Sequence, residues 1–182
     1  GFTVQIYFDF SGYTDMALGS ARFFGVKLPP NFDSPLRAST IIDFWLRWHM
    51  SLPRFLTAYI YNPLALALTR RRVARGGKPL SGREVRVGAF VELLAFPTIV
   101  TMLVSGVWHG AGYLFIVWGL LHGVYLVVNH AWRLLAPRCW HDKARYVQVM
   151  QPVGFALTFT AVVVSMVVFR APTVAAASHI YA

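Results

Sequence analysis

Three apolar stretches, residues 87–107, 111–135 and 149–169, constrain this chain more than any other feature. They run for 21, 25 and 21 residues. At 1.5 Å per residue, a helix of that length reaches roughly 30 Å, the thickness of a bilayer's hydrocarbon core. The first holds one acid, Glu92, and one proline, Pro97. The second holds His122 and His130. The third is almost wholly Val, Phe, Ala, Thr and Met, and Arg170 and Pro172 close it. Only 13% of the 182 residues are charged and 57% are hydrophobic, whereas a soluble domain is about a quarter charged. The fold class that follows is all-α: a polytopic membrane protein with these three spans.

The charges lie between the apolar runs. Of 17 basic residues, seven fall in residues 70–86 and four in residues 133–145, against seven acids in the whole chain. Basic segments flanking apolar spans follow the positive-inside pattern rather than a nucleic-acid footprint. The expected partner is a lipid bilayer, with no nucleic acid. The two basic segments are separated by two spans, so both belong on the cytoplasmic face of the membrane. The connection at residues 105–112 then lies on the far side or inside the protein, and a bend at Pro97 would draw its tip inward. The lone Cys139 allows no intrachain disulfide and no cysteine metal site.

Residues 1–24 mix apolar side chains with Asp9 and Asp15, which suits a helix facing protein or a cavity better than one facing lipid. Pro29 and Pro30 break the chain and residues 31–34 read as a turn. An amphipathic helix is expected over residues 39–50, capped by Ser39 or Thr40, with Asp43 and Arg47 spaced to pair. Pro53 limits its continuation. Residues 55–68 are apolar but interrupted by Asn62 and Pro63, and so read as interfacial or re-entrant.

Two histidines, His109 and His49, are candidates for chemistry. His109 follows Trp108 among Gly106, Gly110 and Gly112. An imidazole at a membrane helix end suits proton transfer near neutral pH. The plainer reading is a buried ring bonding between helices, and both stay open on the local sequence. His49, after Trp45, Arg47 and Trp48, is either a site residue or an interfacial histidine facing headgroups. His122 is ambiguous, and His130, near Asn129 and Arg133, belongs to the cytoplasmic end of its span. No His-x-x-x-His or His-Glu-x-x-His pair, no phosphate-binding Gly-rich loop and no Gly-x-Ser-x-Gly elbow is present. No metal site is expected.

Several segments together carry a resemblance. Phe8-Asp9-Phe10-Ser11-Gly12-Tyr13-Thr14-Asp15-Met16-Ala17 is followed by Leu28-Pro29-Pro30-Asn31-Phe32 and Phe44-Trp45-Leu46-Arg47-Trp48-His49-Met50-Ser51-Leu52. Then come Ser105-Gly106-Val107-Trp108-His109-Gly110-Ala111-Gly112, Trp118-Gly119-Leu120-Leu121-His122-Gly123 and Phe169-Arg170-Ala171. In this order they resemble the membrane-bound O-acyltransferases. The similarity is greatest to the bacterial branch holding alginate O-acetyltransferase and the D-alanyl transfer protein of teichoic acid synthesis. Two departures stand out: Leu46 replaces the first Arg of the usual Trp-Arg-Arg-Trp-His, and Thr57-Ala58-Tyr59 stands where many relatives have Arg-Asp-Tyr.

The resemblance implies that residues 1–182 are the C-terminal catalytic part of one membrane domain, truncated at both ends, with re-entrant or interfacial helices. It implies that His109 is the catalytic residue and His49 a second active-site residue. No cofactor is bound. The co-substrate is an acyl thioester, acetyl-CoA by preference, and the acceptor an exported polysaccharide such as alginate, with or without a periplasmic acyltransferase partner. The rival readings are a transporter or export-complex subunit using intramembrane histidines, and a scaffold that binds through the aromatic helix around Trp45 and Trp48.

Overall fold

A computed structural model of the chain describes residues 1–80, 86–140 and 142–181. Residues 81–85 with Arg83, in the first basic segment, and His141, in the second, fall outside them. The protein is 81% helical, with no strand among the described residues. The chain divides into two compact units, Gly1–Arg54 with Ala144–Ala182, and Phe55–Lys143.

In the first unit, α1 (Phe2–Phe23) runs the length of the mixed N-terminal stretch. Gly25, at φ +71, closes it: the N–H groups of Gly25 and Val26 donate to the carbonyls of Arg22 and Ala21. Asp9 and Asp15 are exposed in this unit. Helix α2 (Ile41–Arg47) is capped as its sequence indicates, with the Asp43 N–H donating to Thr40 Oγ1 at 3.1 Å. The guanidinium of Arg47 pairs with Asp43 at 2.8 Å. Helix α8 (Lys143–Arg170) buries Val162, Ser165 and Met166. Gly154 admits the Ser39 carbonyl so closely that a Cβ there would collide with it. Arg170 lies over the Phe2 ring, 5.7 Å from its centroid. The short α9 (Val174–Tyr181) follows.

The prolines do not end the helices. Helix α3 (Ser51–Leu56) carries Pro53 as its third residue, within the first turn, where a missing N–H costs nothing. A π-helical turn, Thr57–Tyr61, then leads into α4 (Asn62–Ala74), so Asn62 and Pro63 interrupt nothing. The same device recurs downstream: α5 (Val87–Phe90), a π-turn at Val91–Ala95, then α6 (Phe96–His109), with Pro97 its second residue. In both places the π-turn ends two residues before a proline, which is the second residue of the helix that follows. The π-turn's extra residue per turn gives room to a ring that would otherwise strike the carbonyl one turn back. Arg70, Arg71 and Arg72 therefore sit on the last turns of a helix, not in a loop.

Helix α7 (Tyr113–Cys139) completes the second unit. Val87–His109, Tyr113–Ala136 and Lys143–Arg170 are long and apolar enough to cross a membrane. The first and third contain their apolar stretches and extend them by a few residues, while the second starts two residues later than expected, at Tyr113, because Ala111 and Gly112 belong to the turn. Ile116, Leu120, Val124 and Val128 on α7 are large and exposed, a surface that suits lipid. The one acid of the first span is answered: the Arg72 guanidinium meets Glu92 at 2.5 Å, with the two side chains 20% and 30% exposed.

Candidate active site

His109 is the last residue of α6, and the turn after it depends on glycine. Gly110 has φ +155 and ψ 170, which residues with a Cβ scarcely adopt, and a Cβ there would come 2.8 Å from the Phe115 ring. The chain reverses within Gly110–Gly112 and α7 packs back along α6.

The packing is close because glycines line it. A Cβ on Gly106 would run into the Phe115 carbonyl, and one on Gly119 into the Met102 carbonyl. Each such Cβ would lie 3.3 Å from the other glycine's Cα. Gly123 continues the seam against Ile99 and Met102. Small residues let two membrane helices bring their backbones together.

That approach gathers a cluster. Trp118, buried at 2% exposure, meets the half-buried His109 ring edge-on, with centroids 5.0 Å apart and an interplanar angle of 85°. On its other side Trp118 lies 4.7 Å from His122, which is fully buried. Trp108 stands 4.9 Å from His109, and Tyr125 5.7 Å from His122. Ser105, one turn before His109, is fully buried, and its hydroxyl has no hydrogen-bond partner among the described residues. His122, ambiguous in the sequence, thus belongs to the setting of His109. Its signal was present in the spacing: Trp118 and His122 are four apart, on one face of α7.

His49 belongs to the first unit. It lies between α2 and α3 at φ +46, the left-handed region that non-glycine residues rarely enter. Phe10 of α1 meets its ring edge-on at 4.8 Å. Nδ1 is 3.5 Å from the Ser51 hydroxyl, at the outer limit of a hydrogen bond. Burial pushes the imidazole below the ordinary histidine pKa of 6.5. Phe10 and Phe32, both within the motif segments, pack here: Phe32 lies 5.1 Å from Phe10 and 5.1 Å from Trp48. His130, on α7, is half-buried.

The profile of the membrane-bound O-acyltransferase family matches residues 2–76. Over 172 residues the chain is 39% identical to the peptidoglycan O-acetyltransferase of Helicobacter pylori, covering 93% of this chain and 27% of the relative. The chain belongs to the membrane-bound O-acyltransferase family. It is also 36% identical over 180 residues to a probable alginate O-acetylase of Pseudomonas putida, covering 99% of this chain and 31% of that protein. To the teichoic acid D-alanyltransferase of Streptococcus thermophilus it is 31% identical over 174 residues, covering 91% and 38%. The chain thus spans between 27% and 38% of the length of these family members. As in the sequence reading, it falls in the branch that holds the alginate and teichoic acid enzymes.

Proposed function

We propose that the protein carrying this chain is a multi-pass inner-membrane O-acyltransferase. It moves an acyl group, acetyl by preference, from a cytosolic thioester such as acetyl-CoA toward hydroxyls of an exported polysaccharide. Alginate and peptidoglycan are the acceptors named in its relatives. Either the polymer or a periplasmic acyltransferase partner receives the group.

The chemistry needs a base at the attacking hydroxyl. His109, as the neutral imidazole, takes the hydroxyl proton while the oxygen attacks the thioester carbonyl carbon. The tetrahedral intermediate collapses, the C–S bond breaks, and the thiolate leaves with the proton returned by the imidazolium. The products are an ester and a free thiol. His49 stabilises the developing oxyanion or orients the donor by donating a hydrogen bond. A site reached from both membrane faces would pass the acyl group across without exporting the donor.

The observation that carries this reading is the setting of His109. The ring ends a span at a turn only glycine allows, backed by Trp118 and the buried His122. The test is transfer of radiolabelled acetyl from acetyl-CoA to polymer by membranes holding the intact protein. His109→Ala should lower the rate by about 10²–10⁴, the usual loss of a general base, with insertion and abundance unchanged. Near-full transfer by a well-inserted variant refutes the assignment. A transporter would yield no acylated product in either case.

A further inference from the structure

We infer that Asn31 is a positioning residue for His49, holding the backbone from which that imidazole projects. The inference rests on the proposed role of His49 in acyl transfer.

The left-handed φ of His49 is unfavourable for a residue with a Cβ, so its surroundings must impose it. The imposing groups belong to Asn31, 20 residues before the Ser51 whose N–H it accepts. The Met50 N–H donates to the Asn31 main-chain carbonyl at 2.9 Å, and the Ser51 N–H donates to Asn31 Oδ1 at 2.9 Å. One residue thus takes two consecutive N–H groups immediately after His49. On the other side, the Asp33 N–H donates to the Arg47 carbonyl at 3.0 Å, and the Arg47 guanidinium donates to the Asp33 carbonyl at 3.3 Å. Residues 31–33 therefore clasp the chain on both flanks of His49. Phe32, between the two clasps, packs edge-on against Trp48 and Phe10. Phe10 in turn holds the His49 ring. Pro30 stiffens the approach to Asn31 by fixing its own φ.

The Asn31 main-chain bond survives any side-chain change, while the Oδ1 bond depends on an acceptor at that place. Alanine removes it and aspartate keeps it. Loss of a side-chain acceptor for a helix-entry N–H shifts an equilibrium by up to about tenfold. Here that shift would divide His49 between its observed position and others.

The experiment compares Asn31→Ala and Asn31→Asp in the intact protein, in the wild-type and His49→Ala backgrounds. It reads acetyl-transfer kinetics together with the rate at which diethylpyrocarbonate modifies His49, followed by mass spectrometry. Asn31→Ala should lower kcat severalfold, up to about tenfold, and change the His49 modification rate severalfold. Asn31→Asp should restore both, and in the His49→Ala background Asn31→Ala should add no further loss. An equal loss in both backgrounds, or an unchanged modification rate, overturns the inference. If His49→Ala alone is fully active, the role of His49 in transfer fails, and the modification rate still decides whether Asn31 positions it. Should Asn31→Ala not accumulate, Asn31→Leu keeps the side-chain volume, removes the acceptor and carries the same comparison.

Discussion

The indole of Trp118 stands edge-on to the imidazole of His109, 5.0 Å between centroids. This one contact joins the last residue of α6 to a fully buried pair on α7, because His122 lies against the same indole. His109 sits where its helix ends, so nothing beyond it on α6 steadies its side chain. Trp118 supplies that wall. Trp118→Phe, which keeps an aromatic edge, should retain most acyl transfer. Trp118→Leu should lower kcat by about 10–100-fold, the cost of small misplacement of a reacting group. Steady-state kinetics at matched protein abundance checks the pair.

The glycine seam is expected to be intolerant. Gly106→Ala places a Cβ against the Phe115 backbone carbonyl, which cannot rotate away as a side chain would. The helices must part, at a cost of about 1–3 kcal/mol. Gly19→Ala, in α1 with nothing near the new Cβ, should be neutral or slightly stabilising. Thermal unfolding of the detergent-solubilised protein should show a lower midpoint for Gly106→Ala and no fall for Gly19→Ala.

His49 links stability to pH. Its pKa in the folded protein lies below 6.5 because burial disfavours the charged ring. Between that lowered value and 6.5 the unfolded chain binds more protons, so stability rises with pH there. The contribution is complete above 6.5 and is lost as pH falls through the folded pKa. Replacing His49 with Asn, which does not titrate and tolerates a positive φ, should flatten this dependence. Melting midpoints measured from pH 7.5 to 5 should fall more steeply for the wild-type protein than for His49→Asn.

Cys139 reports on topology. It is exposed, at the end of α7, between Arg133 and Arg145. On the proposed inner-membrane topology this end is cytoplasmic, because short basic segments resist translocation. With any other cysteines of the intact protein replaced, a membrane-impermeant maleimide should leave Cys139 unlabelled in whole cells. It should label the residue once the inner membrane is permeabilised. Labelling in whole cells would put the His109 turn on the cytoplasmic side instead.

What the sequence determined alone is what depends on near neighbours. The three spans were legible because each is a continuous apolar run whose burial in lipid needs no partner. The Thr40 cap and the Asp43–Arg47 pair were legible because their atoms lie within one helical turn. His109 drew attention through the glycines around it, and one of them, Gly110, adopts a backbone that requires glycine. Tertiary structure decided the rest. Pro63 read as an interruption and Pro97 as a bend within its span, yet each follows a π-turn and the helix continues, an arrangement that residue propensity does not encode. Arg72 and Glu92 are 20 residues apart, and only the packing of the second unit lets the one neutralise the other. The same holds for Asn31 and the chain after His49, and for Trp118 and His109. Their contacts are chosen by how helices and connecting segments pack, and a sequence read by local pattern names such residues without pairing them.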